Sequence, residues 1–515
     1  MANSYAGAAA LVIFSLVPYL ALTASVLPLS SILAKGVGLS DSSLSLTIAL
    51  STGAYALGTV LAVQFAVHLP ARRMLILYEI LFVIASVLAA WAPTGLVFAT
   101  GFVAQGLCTS LMLIAAVPPL VTRWPAKKMP MTAGIMNLCI FGAVAIGPSI
   151  GARLALATSW RPLFATVAGL SLIALLFSIL TFEDERPQGH DAPWDLVAVS
   201  LATVGCIAAF YGAGKLQTLL SAGSSDLVPL LVGFICILGL VAYEALQNNP
   251  LMPVRSVATS VPLSGLCIAL SASAAAFGLM ELVLQALKPV ASPGQVAWIF
   301  LPEFLGAIVV AMLFMALFRT RYTPLLALGG LLAIVAASGM FLAYLPQPGP
   351  GVALGAGLLG LGVGASVSPA LFLVGFSLPN PLLQRLFALI ELLRGVTAFL
   401  VAPILLFLAQ TVSGSSAVGI EVGIWICLGV SLFGFVTGAA LYGGGKRRLE
   451  VPDLERWQEV GEPAWASPPL LHRHGRHKRG AAGVEGTPAE SLLNSDPAAK
   501  GVDEIRRRIS VMTGS

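Results

Sequence analysis

Fourteen apolar stretches of about twenty residues or more dominate this chain of 515 residues. A helix needs roughly 20 apolar residues to cross about 30 Å of hydrocarbon, and in lipid it satisfies its backbone hydrogen bonds internally. We therefore predict an all-α integral membrane protein with fourteen spans. The stretches are 8–34, 44–67, 74–93, 96–121, 131–156, 162–182, 194–214, 227–247, 259–287, 295–318, 324–345, 351–376, 384–411 and 419–442.

The composition excludes a soluble protein. Charged residues make up 10% of the sequence and hydrophobic residues 57%, whereas soluble domains carry roughly 25% charged residues. Too few charges remain to cover the surface of a soluble protein of this size. The first apolar stretch begins near Ala8 without a basic segment before it and is too long for a signal-peptide core. We expect it to be span 1.

The basic residues near the membrane gather on one side. The loops after odd-numbered spans hold only Lys35, Arg161, Lys215 and Lys288, with Arg153 near the end of span 5. Because basic loops stay on the cytoplasmic side, we predict that both termini are cytoplasmic. The basic residues after even-numbered spans are Arg72, Arg73, Arg123, Lys127, Lys128, Arg186, Arg255, Arg319, Arg321, Arg385, Lys446, Arg447 and Arg448.

After span 14 the composition changes abruptly to Pro, Glu, Arg, Ser and Ala. We expect residues 443–515 to form a cytoplasmic, mostly disordered tail. Its run from His472 to Gly480 is rich in groups that can hold a metal. We interpret this run as a basic, solvated stretch near an anionic leaflet.

Several classes of function are disfavoured. The net charge of +5 builds no basic face of the size that nucleic acid needs. The connections between spans leave no room for a soluble catalytic domain, and no phosphate-binding loop, nucleophile elbow or metal-ligand cluster occurs. The six cysteines lie inside apolar segments without metal or disulfide spacing. We expect no enzyme, no cofactor and no metal site, so uphill transport would draw on an ion gradient.

Span 5 carries the most informative pattern, with Gly142, Gly147, Pro148 and Gly151. Small residues let a neighbouring helix approach closely, and the proline is expected to bend the helix. A generic packing face between helices is the alternative interpretation. The segment Ser-Trp-Arg-Pro-Leu-Phe at 159–164 follows at the start of span 6.

These residues resemble the antiporter motif of Major Facilitator Superfamily exporters and the segment that follows it there. The count of fourteen spans resembles their drug:proton antiporter (multidrug efflux) branch, and so do Asp195 and the segment 249–253. The resemblance covers roughly residues 8–442. It implies a six-helix bundle over 1–182, an inserted pair of spans over 183–250, and a second six-helix bundle over 251–442.

The resemblance also implies location and partners. A member of that branch would be a multi-pass protein of the bacterial cell (inner or plasma) membrane, in contact with membrane lipids. It would exchange protons for a lipophilic small molecule. Some members work with a periplasmic adaptor, and no residue pattern in this chain bears on one.

The family's charged motifs survive only in part. Between spans 2 and 3, His68 stands where the family has Asp and Leu69 stands at the first Arg, while Arg72 and Arg73 remain. In span 4, Phe102 replaces the Arg of the family motif, and Gln105 and Gly106 remain. In span 1, Tyr19 takes the acidic position. The usual proton-coupling residues are therefore replaced at these positions.

Other intramembrane acids are the candidates for proton or substrate binding. Burial disfavours the charged form of a carboxyl group, so such a group can bind a proton near neutral pH, and acids inside the membrane are functional candidates by default. Glu391 in span 13 has Arg394 one helical turn away on the same face, which predicts an ion pair. The pair is either a clamp between spans or part of the pathway.

Two further acids are predicted to line the pathway, with plain helix–helix hydrogen bonding as the alternative. Glu303 in span 10 follows Pro302, so it lies near a predicted kink, where freed backbone groups suit a cavity wall. Glu281 in span 9 has Gln285 four residues later, and together they predict an inward polar stripe. Glu79 in span 3 lies close to Arg73, and we favour its pairing with a loop arginine.

Aromatic side chains are the remaining candidates. Tyr19, Tyr55, Tyr78, Phe102 and Trp298 can stack on a planar lipophilic substrate. Taken alone, each of them is better explained by packing or by an anchor at the membrane interface.

Three hypotheses follow. The first is a secondary exporter of lipophilic compounds that works by proton antiport and alternating access. The second is an exporter of one specific metabolite or lipid without the usual proton coupling. The third is a non-transporting membrane sensor or scaffold that recruits partners through its tail, and deletion of the tail would separate it from a transporter.

Overall fold

The structure is a computed structural model that describes residues 4–181, 194–216, 227–412, 416–444, 449–465 and 467. Over these residues fourteen helical segments are long and apolar enough to cross a membrane, which confirms the predicted all-α architecture. The run 472–480, interpreted above as a basic, solvated stretch, and the rest of the tail from 468 lie outside the described residues.

Spans 1 to 6 are called the N half here. Its helices start and end a few residues away from the predicted limits, because caps set the ends. In span 1 the Ser4 hydroxyl accepts from the backbone N–H of Gly7, and Gly38 closes the helix at a φ of 71° that favours glycine. The helices are Tyr5–Val37, Asp41–His68, Ala71–Ala90, Gly95–Thr122, the composite span 5 and Arg161–Thr181.

Span 5 is built from four consecutive pieces. A 3-10 turn, Ala126–Lys128, leads into Met129–Asn137, and a π-helical turn, Leu138–Gly142, joins this to Ala143–Leu156. The sequence predicted a bend at Pro148, but the irregularity precedes that proline by a turn and a half. Such π turns widen a helix locally and are frequent at functional sites.

Spans 7 and 8, called the insert pair here, are Leu196–Lys215 and Val228–Leu246. They pack on each other, and span 7 also packs along span 2 and touches span 13. The short helix Val254–Val257 follows them.

Spans 9 to 14 form the C half. Span 10 is divided at Phe300, two residues before the predicted kink at Pro302, into two helices. The C half meets the N half mainly where span 13 packs on span 2 and where span 10 packs on span 5. The helices are Ser260–Leu287, Pro293–Ile299 with Leu301–Leu317, Thr323–Tyr344, Pro350–Phe376, Leu383–Val412 and Ser416–Gly444.

The ends of the bundle define two faces. The basic face carries the loops after even-numbered spans, and the opposite face carries the loops after odd-numbered spans. The predicted tail begins at the basic face, and most of it lies outside the described residues. Its described part differs from the expectation of disorder, since it forms a helix, Leu454–Glu459, whose Trp457 is fully buried. A large aromatic side chain in a polar segment gains stability by burial in an apolar site.

Candidate functional site

A cavity opens to the opposite face between the two halves. It encloses about 870 Å³ of empty space up to its open mouth. Its walls come from the parts of spans 1, 2, 7, 9 and 13 that lie nearest that face. The lining residues are Thr23, Ala24, Leu27, Ser45, Ile48, Ala49, Thr52, Ala213, Gly214, Phe277, Met280, Glu281, Ala398, Phe399, Ala402 and Pro403.

Glu281 gives this cavity its charge. It is the one ionisable side chain among the described residues that line the cavity, and it is partly exposed there. Hydroxyl groups of Thr23, Ser45 and Thr52 add polar points to walls that are otherwise aliphatic and aromatic. Apolar walls with a few convergent polar groups are the usual composition of a small-molecule site.

Gln285 differs from the prediction. The inward stripe was expected to include it, but its side chain is exposed and does not line the cavity. It lies two residues before the end of the helix at Leu287.

A series of aromatic contacts runs from the N half to Phe399 and Phe277, the two phenylalanines of the C half that line the cavity. Tyr19 stacks on Tyr55 with ring centroids 6.4 Å apart, and Tyr55 meets Phe399 edge-on at 6.5 Å. Phe399 in turn contacts Phe277 at 5.1 Å. The sequence named Tyr19 and Tyr55 as stacking candidates, whereas the two phenylalanines were missed because phenylalanine is common in membrane helices.

Glu303 lines a second, smaller cavity of about 340 Å³. Phe277 and Met280 line both cavities, so they separate Glu303 from the larger one. Glu303 is 5% exposed, and its Oε2 has no hydrogen-bond partner. A buried carboxyl oxygen without a partner is costly unless the group is protonated or a ligand supplies the bond.

Span 12 packs closely against the backbone of Glu303 at a glycine. A Cβ at Gly360 would lie 2.0 Å from the backbone oxygen of Glu303, so only glycine permits this approach. Four residues on, the backbone oxygen of Gly364 accepts a hydrogen bond from Asn137 Nδ2 at 2.8 Å. Asn137 precedes the π turn of span 5, so this bond joins the two halves.

Glu391 and Arg394 form a buried ion pair, as the spacing predicted. Arg394 Nη2 lies 2.5 Å from Glu391 Oε2, and both side chains are at most 2% exposed. Tyr55 of span 2 donates its hydroxyl to the same Oε2, and the guanidinium lies 5.9 Å from the ring centre of Phe141 in span 5. The pair therefore contacts two spans of the N half.

The interface between the halves is closed on the side of the basic face. Besides the bonds of Tyr55 and Asn137, Gln384 Nε2 in span 13 donates to the backbone oxygen of Ile114 in span 4 at 3.2 Å. The larger cavity therefore communicates with the opposite face and is separated from the basic face.

The glycine pattern of span 5 packs against span 1 at two of its three glycines. A Cβ at Gly151 would lie 2.2 Å from the Ser25 oxygen, and one at Gly147 would lie 2.5 Å from Ala24 Cβ. Gly142 instead belongs to the π turn, where its nearest neighbour is a side chain of its own helix. Pro148 is buried inside the last helical piece of the span.

The loop motif after span 2 contacts the insert pair. The His68 ring stacks on Trp194, which precedes span 7, at 4.4 Å between ring centres. Arg72 donates to the backbone oxygen of Ile179 in span 6 at 3.0 Å, while Arg73 is exposed. Thus a ring-stacking contact occupies the place of the family's charge pairing.

Two buried acids lie outside these cavities. Glu79 was expected to pair with a loop arginine, but it is fully buried and accepts a hydrogen bond from Ser15 Oγ at 2.5 Å. Glu244 in span 8, which the sequence analysis missed, accepts from the backbone N–H of Met252 at 3.0 Å. Its neighbour Tyr243 bonds Asp195, so these groups hold the insert pair together at the basic face.

Comparison with known sequences supports a single family. A sequence profile described as Major Facilitator Superfamily matches residues 10–290, more than half of the chain. An uncharacterized MFS-type transporter of Bacillus subtilis, YcnB, is 26% identical over 184 residues, which is 36% of this chain and 39% of the relative. A Mycobacterium tuberculosis multidrug resistance protein B homolog is 24% identical over 309 residues, 58% of this chain and 56% of the relative.

Both matches thus span less than two thirds of the relatives' length. Among solved structures, that of the human organic anion transporter MFSD10 superposes with a TM-score of 0.59. The superposition covers 85% of this chain and all of that one, at 13% identity. At that identity the likeness concerns the fold.

Proposed function

Because the chain belongs to the Major Facilitator Superfamily, and is thus a transporter rather than an enzyme, we propose that it exports lipophilic small molecules in exchange for protons. Transport would proceed by alternating access, with the N half and the C half rocking around the cavity. The basic face would be cytoplasmic, and the membrane would be the cell membrane.

The observation that carries the proposal is the position of Glu281 in the larger cavity. A carboxylate among aromatic and aliphatic walls attracts a lipophilic cation, and protonation of that carboxylate removes the attraction. Substrate and proton then compete for one group, which is the requirement for exchange. The multidrug resistance name of one relative agrees with such a substrate class.

Glu303 extends this scheme. It lies on the far side of Phe277 and Met280 from the larger cavity, and its Oε2 has no partner. We assign to it a second proton site, which the substrate reaches only if these two side chains move.

The test uses purified protein in liposomes with an imposed pH gradient and a pH-sensitive dye inside. Lipophilic cations, then neutral compounds and anions, are added outside. We expect substrate-dependent proton flux that Glu281→Gln abolishes, since glutamine keeps the shape and loses the titration. Gln285→Ala, one turn away on the same helix and outside the cavity, is the matched control. Unchanged flux in the Glu281→Gln/Glu303→Gln double variant would refute the proposal.

A specific observation favours the second candidate, an exporter of one metabolite or lipid without proton coupling. Phe102 stands at a charged family position and packs among Phe98 and Phe164. Tyr19 stands at an acidic one and shares a hydrogen bond of 2.8 Å with Ser51. Flux that follows the substrate gradient and ignores the pH gradient would identify this mode.

A further inference from the structure

The described part of the tail, residues 449–467 without 466, lies as a strap across the basic face. Its helix Leu454–Glu459 is capped by Asp453, whose Oδ1 accepts from the backbone N–H of Arg456 at 3.0 Å. Within the strap, Arg456 also pairs with Glu462, and the backbone N–H of Asp453 donates to Ala464. These contacts close the strap on itself, so it behaves as one folded piece.

The strap is anchored on the C half by buried aromatic rings. The Trp457 ring meets Phe376, at the end of span 12, edge-on with centroids 4.5 Å apart. Its Nε1 donates to the backbone oxygen of Leu378 at 2.9 Å. Trp465 is also buried, 6.5 Å from the same phenylalanine. Burial of two indole rings attaches the strap stably to the C half.

Hydrogen bonds of the backbone and of Ser467 also attach the strap to the C half. The N–H of Ala464 donates to the Phe376 oxygen at 2.7 Å, and the N–H of Asn380 donates to the Gly461 oxygen at 3.3 Å. At the start of span 9, Ser467 Oγ accepts from the N–H of Val261 at 3.0 Å. The strap therefore touches spans 9 and 12 and the loop that leads into span 13.

A single side chain links the strap to the N half by described hydrogen bonds. Gln458 Nε2 donates to the backbone oxygens of Thr122 and Trp124, at 3.0 and 2.5 Å. Thr122 ends the helix of span 4, where the last carbonyl groups have no partner within the helix. Both amide hydrogens of Gln458 are thus used on the N half, while the neighbouring Trp457 is bound to the C half.

Charges reinforce this link. A cleft between the strap and the loop after span 4 is lined by Glu455, Glu459 and Gln458 on one side and by Arg123 and Lys127 on the other. Acidic and basic groups on facing walls attract one another over several ångströms, and salt screens the attraction. Glu455 also lies 3.7 Å from Arg319 at the end of span 10, so the strap is complementary in charge to both halves.

We infer that the strap is a latch that holds the basic face closed while the cavity is open to the opposite face. This inference rests on the proposed alternating access, because only that cycle requires the basic face to open. Opening moves the end of span 4 away from the end of span 12. The bonds of Gln458 must then break, whereas the tryptophans keep the strap on the C half, ready to close again.

The experiment measures the width of the basic face directly. Spin labels are attached through Arg73→Cys in the N half and Arg321→Cys in the C half, both exposed, in a background with the native cysteines replaced. Distances are recorded in liposomes for the parent, for Gln458→Ala, and for the matched control Arg456→Ala, whose ion-pair partner Glu462 is within the strap.

We expect Gln458→Ala to raise the population with a wide basic face about tenfold, as the loss of two neutral hydrogen bonds implies. Arg456→Ala should leave it unchanged, and 1 M salt should widen the distribution of the parent. A chain ending at Gly444 should show the largest effect. Unaltered distances in both Gln458→Ala and the shortened chain would overturn the latch.

The proton-flux assay separates this failure from failure of the proposed function. If the spin-label distances change in Gln458→Ala but no compound drives proton flux, the latch is supported and proton antiport is rejected. If flux is present but distances do not respond, antiport stands and the latch is rejected.

Discussion

Tyr55 donates its hydroxyl to Glu391 at 3.1 Å, although the two residues lie 336 positions apart in the sequence. The bond joins span 2 to span 13, and thus the N half to the C half, at a carboxylate that is already paired with Arg394. It is formed in the state whose cavity opens to the opposite face. A bond of this kind shifts the equilibrium between conformations toward the observed state, rather than stabilising either half by itself.

We therefore expect Tyr55→Phe to shift the equilibrium away from the observed state. Hydrogen bonds to charged groups contribute about 1.5–3 kcal/mol, so the shift should be roughly tenfold to a hundredfold. The spin-label pair at positions 73 and 321 measures it. Tyr243→Phe, which removes a hydroxyl bound to Asp195 within the insert pair, should have no such effect. Equal distances in the parent and Tyr55→Phe would contradict the prediction.

The ion pair of Glu391 and Arg394 should show strong coupling in a double-mutant cycle. Removal of one partner leaves a buried charge and costs about 3–5 kcal/mol, whereas removal of both costs less than the sum. Glu391→Gln, Arg394→Met and the double variant are compared by thermal unfolding in detergent. The exposed pair of Arg456 and Glu462 is the control, for which a coupling of at most about 1 kcal/mol is expected. Strictly additive effects at Glu391 and Arg394 would show that the pair does not act as a unit.

Substitution of Gly151 should destabilise the N half. In Gly151→Ala the new Cβ would overlap the Ser25 backbone oxygen, 2.2 Å away, so span 1 must move. Overpacking of this kind costs about 1–3 kcal/mol. Gly142→Ala should be tolerated, because its Cβ would meet the flexible Leu138 side chain at 3.3 Å and the Phe304 ring at an ordinary contact distance of 3.6 Å. A drop in Tm for Gly142→Ala and none for Gly151→Ala would reverse the assignment of the close contact.

Phe399 should set the preference for planar substrates. Its ring lines the larger cavity between Tyr55 and Phe277, where stacking on an aromatic cation contributes about 0.5–2 kcal/mol. Phe399→Ala should raise the KM for an aromatic cation several-fold and affect an aliphatic cation of equal charge less. Phe433→Ala, on the exposed surface of span 14, is the matched control. Equal effects on both cations would indicate a general packing role.

The sequence predicts those features that depend on neighbours along the chain. Apolar length gives all fourteen spans, and the i, i+3 spacing gives the pair of Glu391 and Arg394. The partners from other helices could not be predicted. Tyr55 at Glu391 and Ser15 at Glu79 meet across long separations that no local pattern encodes.

The tail shows a second reason why part of the structure could not be predicted from the sequence. Its composition predicts disorder, yet residues 449–465 fold on the basic face because a surface made by Phe376 and Leu378 receives Trp457. Two tryptophans within nine residues of a polar segment were the available signal. The average composition of the tail conceals these two residues. Two indole rings are enough to bind the segment when the rest of the protein supplies an apolar surface for them.

The insert pair makes the two seams between the halves unequal. Span 7 packs along span 2 and touches span 13, so it screens one seam from the bilayer and adds Ala213 and Gly214 to the cavity wall. Along the other seam span 10 packs directly on span 5, and its residues Leu305, Val309 and Met312 are exposed. One flank of the cleft between the halves is therefore walled by a helix that belongs to neither half, whereas on the other flank the halves meet directly.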